Sequence, residues 1–207
     1  VECICSIPKK IEKNIEKSGI SSAQKKLTIE NFVIGNNWQK DFRDFAMDFV
    51  ENHNSKWFYI GGQIGSGKSH LCVGISLALI KLGKSVRLMS WRDSTVQLKA
   101  MIMDAESYTQ TINQFKKCEV LCIDDLFKTT NDKKPTDADI NIASEIIDYR
   151  YRYGLTTIIN SEKNINDLLE ISESIGSRII QQSTGFYIEI PIDSTKNFRL
   201  KGCSQYE

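Results

Sequence analysis

Short runs of strongly apolar residues recur along the chain, and between them apolar positions fall three and four residues apart. The runs Trp57-Phe58-Tyr59-Ile60 and Val120-Leu121-Cys122-Ile123 are too short for buried helices and read as central strands, spanning 56–60 and 119–125. Segments 85–91, 155–160 and 186–190 supply three more. Helical spacing fills the intervals. Segment 37–52 sets Trp38, Phe42, Phe45, Met47 and Phe49 near one face, and 69–82 is ended by Gly83. Segment 92–117 reads as two helices joined near Asp104, 138–153 as one helix capped by Gly154, and 165–182 as two short helices. A charged helix over 9–18 is stopped by Gly19, while 128–137 and the tail after Pro191 are polar. Strands alternating with helices of this length predict an α/β fold, with a central parallel five-stranded sheet flanked by helices on both faces.

The first strand runs into Gly62-Gln63-Ile64-Gly65-Ser66-Gly67-Lys68-Ser69, a full match to the phosphate-binding pattern G-x-x-x-x-G-K-[ST]. Glycines let the backbone wrap closely enough for successive N–H groups to point inward, and the following helix adds its positive N-terminal end. Lys68 neutralises the β- and γ-phosphates in such a loop, and the Ser69 hydroxyl holds Mg2+. A plain Gly/Ser-rich turn is the bland alternative, disfavoured by the strand before it and the apolar helix after it. The loop predicts a bound nucleoside triphosphate. It does not say what the energy is used for.

A second signal is Asp124-Asp125 at the end of the third strand. Carboxylates at the C-terminal ends of strands in such sheets face the ligand crevice. Asp124 suits the role of binding Mg2+ through its water shell, and Asp125 stands where a second carboxylate orients the attacking water, so hydrolysis is implied as well as binding. The competing reading is an acidic strand end in solvent, against which four apolar residues lead directly into the pair. A complete strand, 85–91, lies between the phosphate loop and Asp124. That arrangement suits ATPases with paired carboxylates better than small-molecule kinases or GTPases.

Composition bounds the picture without changing it. The 207 residues are 41% apolar and 26% charged, which suits one α/β domain plus a short extension. With 27 basic against 26 acidic residues the formal charge is +1, so any contact with nucleic acid must come from a local patch. No apolar stretch approaches the roughly 20 residues that span a bilayer, and no signal-peptide core opens the chain, so the expectation is no membrane and a cytoplasmic location. Of the six cysteines, Cys72, Cys118 and Cys122 fall in segments that read as buried, as free thiols in a reducing compartment do. Cys3 and Cys5 form a C-x-C pair that is either half of a zinc site or two exposed thiols at a terminus.

Four stretches together carry a family resemblance: Asn31-Phe32-Val33-Ile34-Gly35-Asn36-Asn37, the phosphate loop with Ser69-His70 after it, Ile123-Asp124-Asp125-Leu126-Phe127-Lys128, and Ile175-Gly176-Ser177-Arg178-Ile179. The chain resembles the AAA+ ATPases of the DnaC/DnaI helicase-loader group over roughly 7–199, and the related IstB transposition helpers share most of these motifs. The resemblance implies a P-loop NTPase of AAA+ type with ATP as its nucleotide and little or no C-terminal lid. It divides the chain into 1–30, a linker and helix that would be the remnant of a truncated zinc-binding domain containing Cys3 and Cys5, and 31–207, the ATPase domain. Zinc would then be bound only with the missing segment present.

By position, the resemblance assigns Phe32 to Asn37, Val33 and Ile34 included, to the adenine pocket. Arg178 takes the place of the arginine finger that reaches the γ-phosphate of a neighbouring subunit, a task suited to an always-charged planar fork of donors. Relatives end the fourth strand with Ser-Asn or Thr-Asn, whereas this chain has Asn160-Ser161-Glu162, which leaves open which of the three senses the γ-phosphate. Asn160 is preferred, because a Glu beside phosphates is unfavourable unless a cation or water intervenes. Arg199 resembles a basic C-terminal sensor on a short tail.

The implied function is ATP-dependent loading of a hexameric replicative DNA helicase, with self-association through a shared ATP site and with single-stranded DNA as a further partner. For DNA, Trp91, Arg92, Lys99, Lys116 and Lys117 form one candidate patch and Lys128, Lys133 and Lys134 another, although such charges also mark ordinary solvated faces. An IstB-like transposition helper and a P-loop nucleotide kinase are the alternatives, and phage or host origin stays open.

Overall fold

The computed structural model describes residues 6–130 and 133–200. The five strands are β1 (Phe58–Gly62), β2 (Val86–Ser90), β3 (Val120–Asp124), β4 (Thr157–Asn160) and β5 (Tyr187–Ile190). They form one parallel sheet in the order β2-β3-β4-β1-β5. The described helices are α1 (Ser6–Ser18), α2 (Asn37–Asn52), α3 (Lys68–Lys81), α4 (Trp91–Ala100), α5 (Ala105–Lys116), α6 (Asp137–Arg152), α7 (Ile165–Ile171) and α8 (Glu173–Gln182). The expected pattern of elements is present, and the sheet is the predicted one. Two single turns of 3-10 helix, Gln24–Lys26 and Ser194–Lys196, interrupt segments that read only as polar.

Among the element boundaries that move, two matter for the site. β1 runs on through Gly61 and Gly62, because β5 pairs with it as far as Gly62↔Ile190, so the strand delivers the chain directly into the phosphate loop. β3 stops at Asp124. Asp125 turns out of the sheet at φ 61°, in the left-handed region that few non-glycine residues adopt.

Strand residues alternate between two cores. Phe58, Ile60, Val120 and Cys122 face a layer built on α3, together with Phe49 of α2, whereas Trp57, Tyr59, Leu121 and Ile123 face one built on Ile142, Ile146 and Ile147 of α6 and Ile175 and Ile179 of α8. The consecutive run Leu71 to Leu77 in α3 is buried throughout, so that helix is covered on all sides by the sheet and the helices beside it. Cys72, Cys118 and Cys122 are free thiols, as expected.

The second core also contains a buried cation. Arg150 of α6 is fully buried and spends its guanidinium on oxygens: Nε donates to Thr157 Oγ1 at 2.9 Å, Nη1 to the carbonyls of Phe115 and Cys118 at 3.0 and 2.9 Å, and Nη2 to that of Thr156 at 2.5 Å. It thereby ties the C-terminal end of α5, where carbonyls lack helical partners, to the start of β4. Burial pulls the Arg150 pKa down, a cost offset by the saturated donor set.

Candidate nucleotide site

The phosphate loop is shaped by left-handed glycines and by what presses on them. Gly67 caps α3 at φ 95°, and a Cβ there would stand 2.7 Å from the Phe32 ring; at Gly65, φ 73°, a Cβ would collide with the Asn197 side-chain oxygen. Ser66 Oγ donates to the Gln63 carbonyl at 2.8 Å. Lys68, nearly buried, donates Nζ to the carbonyls of Gly62 and Gln63 at 2.7 and 2.6 Å. Burial disfavours its charge and brings its pKa down to about 8, against the pull of Asp125 and Glu162.

At the far side of the cradle, Asp124 and Asp125 are held by Asn160. The Asn160 amide donates to Asp124 Oδ1 at 2.6 Å, and its oxygen accepts the Asp125 backbone N–H at 2.9 Å. Because a backbone amide only donates, this second bond fixes which way the Asn160 amide points. β4 lies between β1 and β3, so Asn160 stands between the phosphate loop's strand and the strand of the carboxylates. Of the three residues open for the sensor position, Asn160 bonds both aspartates, Ser161 donates to the Leu126 carbonyl at 2.7 Å, and Glu162 pairs with Lys128.

Lys128 is the residue whose place the sequence misassigns. Grouped with Lys133 and Lys134 as a DNA contact, it instead lines the nucleotide cavity, about 190 Å³, with Ile64, Gly65, Gly67, Lys68, Ser69, His70, Asp125, Glu162 and Arg199. Its Nζ lies 2.8 Å from Asp125 Oδ2 and 2.8 Å from Glu162 Oε1. Burial opposes its charge, yet the hydrogen bonds to Asp125 and Glu162 outweigh burial and raise its pKa. The physical reason for the misassignment is the turn after β3, where Phe127 also adopts φ 60° and reverses the chain toward the cradle.

The loop from Phe32 to Asn37 and the tail close around the cradle. Gln39 of α2 accepts the N–H groups of Gly35 and Asn36 at 2.8 and 2.9 Å and donates to the Val33 carbonyl at 2.9 Å, leaving the side chains of Val33 and Ile34 exposed. Sequence reasoning missed Gln39, although Asn36-x-x-Gln39 is a capping-box signal. His70 bonds the Thr28 carbonyl through Nε2 at 2.8 Å and meets the Phe32 ring edge-on. From the tail, Asp193 N–H donates to Gln63 Oε1 at 2.8 Å and Phe198 N–H to the Gly65 carbonyl at 3.0 Å, which brings Arg199 to the cavity.

This cradle fits a triphosphate. A desolvated lysine is aimed into a loop of left-handed glycines at a helix N-terminus, and beside it one asparagine holds the Asp124 carboxylate and the Asp125 backbone. For Mg2+, the hydroxyl of Ser69 and the carboxylate of Asp124 are the protein groups that would hold the ion, with phosphates and water completing its oxygen shell. Among the described residues no group of three or more His, Cys, Asp or Glu gathers as a metal site. Cys3 and Cys5 lie outside the described residues.

The family model of the IstB-like ATP-binding proteins matches residues 9–173, four fifths of the chain and every element from the phosphate loop to β4. The chain belongs to the IstB-like ATP-binding family. Uncharacterized protein YqaM of Bacillus subtilis is similar to it, 32% identical over 96% of this chain and 66% of its own length. The replicative helicase loader DnaC of Escherichia coli is 24% identical over 84% of this chain and 69% of its own. A crystal structure of the DnaC helicase loader superposes with a TM-score of 0.68 at 20% identity, covering 84% of this chain and all of the other, which establishes the AAA+ fold. The chain therefore spans about two thirds of the length of these two curated relatives.

In this IstB-like chain the remaining site candidates divide. Arg178 of α8 is outside the nucleotide cavity: its Nε is 3.3 Å from Asp148 Oδ1, its Nη1 donates to the Ser174 carbonyl at 2.7 Å and to the Ser174 hydroxyl, and its guanidinium lies 5.5 Å from the Tyr151 ring centre. The first DNA patch is largely spent on packing. Trp91 is buried against Phe127 and has no face for a base, while Lys99 pairs with Asp139 and Lys116 with Glu145. Lys133 and Lys134 line a separate cavity of about 250 Å³ with Pro135, Lys163 and Glu170. No helix among the described residues is long and apolar enough to cross a membrane.

Proposed function

We propose that this chain is an ATPase whose ATP binding and hydrolysis control the loading of a hexameric replicative helicase onto single-stranded DNA. The observation that carries the reading is the grip of Asn160 on both Asp124 and Asp125 beside the desolvated Lys68. Bound Mg·ATP supplies a phosphoanhydride whose cleavage separates two states of an assembly. Lys68 neutralises phosphate charge, Asp124 accepts from the hydration shell of the metal, and Asp125 orients the attacking water. Arg178 stands on an outer helical face with its fork held by Asp148 and Ser174, a position suited to completing the site of a second copy. The likeness to the DnaC helicase loader supports loading as the use of the energy.

The family match favours a second reading, a helper ATPase that delivers a transposase to DNA. One experiment separates the two. Affinity capture with the chain in Mg·ATP, followed by unwinding of a protein-coated fork, is expected to recover a hexameric helicase and to stimulate its loading, with Asp125→Asn binding ATP but failing to turn over. Recovery of a transposase with no effect on unwinding would replace the loader reading by the helper reading.

A further inference from the structure

Glu162 stands where an anion beside phosphates is unfavourable, and the structure answers with a cation. Lys128 bridges Glu162 and Asp125 at 2.8 Å each, and all three line the cavity that Lys68 and Ser69 line. The bridge is built into the fold at both ends. Lys128 N–H donates to the Asp125 carbonyl at 3.0 Å, Leu126 N–H to the Asn160 carbonyl at 2.9 Å, and Ser161 Oγ to the Leu126 carbonyl at 2.7 Å, so the turn carrying Lys128 is fastened to the end of β4 that carries Glu162. Asp125 reaches Lys128 through a left-handed backbone at φ 61°, a strained conformation that persists where the surroundings over-determine it.

We propose that Lys128 is a cis sensor of the terminal phosphate: without a triphosphate it latches Asp125 to Glu162, and a γ-phosphate draws it away and leaves Asp125 free to orient water. The proposal rests on the ATP-site reading above and adds to it a residue that tells tri- from diphosphate. The exchange is electrostatically downhill, because a terminal phosphate carries close to two negative charges at neutral pH and three acceptor oxygens, whereas each carboxylate carries one charge and two oxygens. While the latch is closed, Asp125 Oδ2 is occupied by the Lys128 ammonium at 2.8 Å and not turned to a water. Glu162 then has a purpose: it gives Lys128 a resting partner, so that Asp125 stays occupied until the γ-phosphate is in place.

The test compares ATPγS and ADP affinities of the whole chain with Mg2+ present, for Lys128→Met, Lys128→Arg, Glu162→Gln and Lys68→Ala. Lys128→Met is expected to weaken ATPγS about tenfold and ADP less than about twofold, and Lys128→Arg to recover most of the difference. Glu162→Gln removes the competing anion and is expected to tighten ATPγS relative to ADP. Equal shifts for both nucleotides in Lys128→Met, or none, would overturn the sensor. Should Lys128→Met not fold, an unchanged ATPγS-to-ADP ratio in Glu162→Gln overturns it instead. Lys68→Ala guards the underlying reading: undiminished binding of both nucleotides there removes the ATP site itself, whereas loss of both alongside an unaltered ratio in Lys128→Met removes only the role of Lys128.

Discussion

Asn160 holds Asp124 through a side-chain hydrogen bond of 2.6 Å, and with its other amide atom it holds the backbone of Asp125. Asn160→Ala therefore loosens the Asp124 carboxylate and the backbone that carries Asp125 while leaving the phosphate loop intact. Hydrolysis is expected to fall about 10–100-fold, the usual loss when a residue orienting site carboxylates is removed, with ATP affinity changed far less. A steady-state ATPase assay beside a nucleotide titration checks this; equal losses in both would point to collapse of the loop instead.

Burial holds Lys68 at about 8, and bound phosphates must raise it again. Below that value the free site already carries the proton, so affinity is flat with pH. Above it, binding must take up a proton, and affinity is expected to fall by up to about tenfold per pH unit. Calorimetry in buffers of different ionisation enthalpy should show proton uptake near zero at neutral pH and approaching one proton in alkali. The same depression means that the unfolded chain holds more protons than the folded one between about 8 and the ordinary lysine range. The contribution of Lys68 to stability therefore rises with pH across that window.

If Arg178 completes a neighbour's site, a subunit lacking it still offers a sound nucleotide pocket, and a Lys68→Ala subunit still offers a sound arginine. Each variant alone is expected to lose most turnover, and mixtures to regain part of it. Absence of rescue in mixtures shown by crosslinking to contain both subunits would count against action in trans.

Gln63 occupies a position that the phosphate-loop pattern leaves free, yet its side chain accepts the Asp193 N–H. Gln63→Ala should release the tail from the loop. Limited proteolysis is expected to cut after residue 191 several times faster, with nucleotide affinity reduced only modestly. An unchanged cleavage rate would mean that the tail's other contacts, the Phe198 to Gly65 bond among them, suffice to fasten it.

Arg150→Met keeps the aliphatic stem and removes every donor to the six oxygens it satisfies. Leaving several buried acceptors unpaired is expected to cost about 3 kcal/mol or more, which lowers the melting temperature by roughly 6–12 °C for a domain of this size. Since the residue lies in the core away from the nucleotide cavity, the folded fraction should bind ATP normally. Thermal melts with and without nucleotide measure both effects.

The architecture was legible because its signals are local. Apolar runs such as Val120 to Ile123 set the strands, and the spacing of Gly62, Gly67, Lys68 and Ser69 set the loop. What escaped depends on turns that reverse the chain. Nothing in the composition of 126–128 announces that Phe127 and Asp125 adopt left-handed backbone, so Lys128 read as a surface cation although it faces the phosphate cradle. Trp91 failed for a related reason: a strand end that continues without a break into α4 turns the ring inward, onto Phe127. Gln39, in contrast, was readable from its capping box.

The tail that folds back on the phosphate loop also touches Trp38, whose ring lies 6.0 Å from that of Phe198 and 5.9 Å from Lys196 Nζ. The other two tryptophans, Trp57 and Trp91, are sealed in the core. Excitation of the indoles thus yields two constant emitters and one that senses its surroundings. Any displacement of the tail changes the quenching of Trp38, so whether nucleotide moves the tail can be read in stopped flow without attaching a dye.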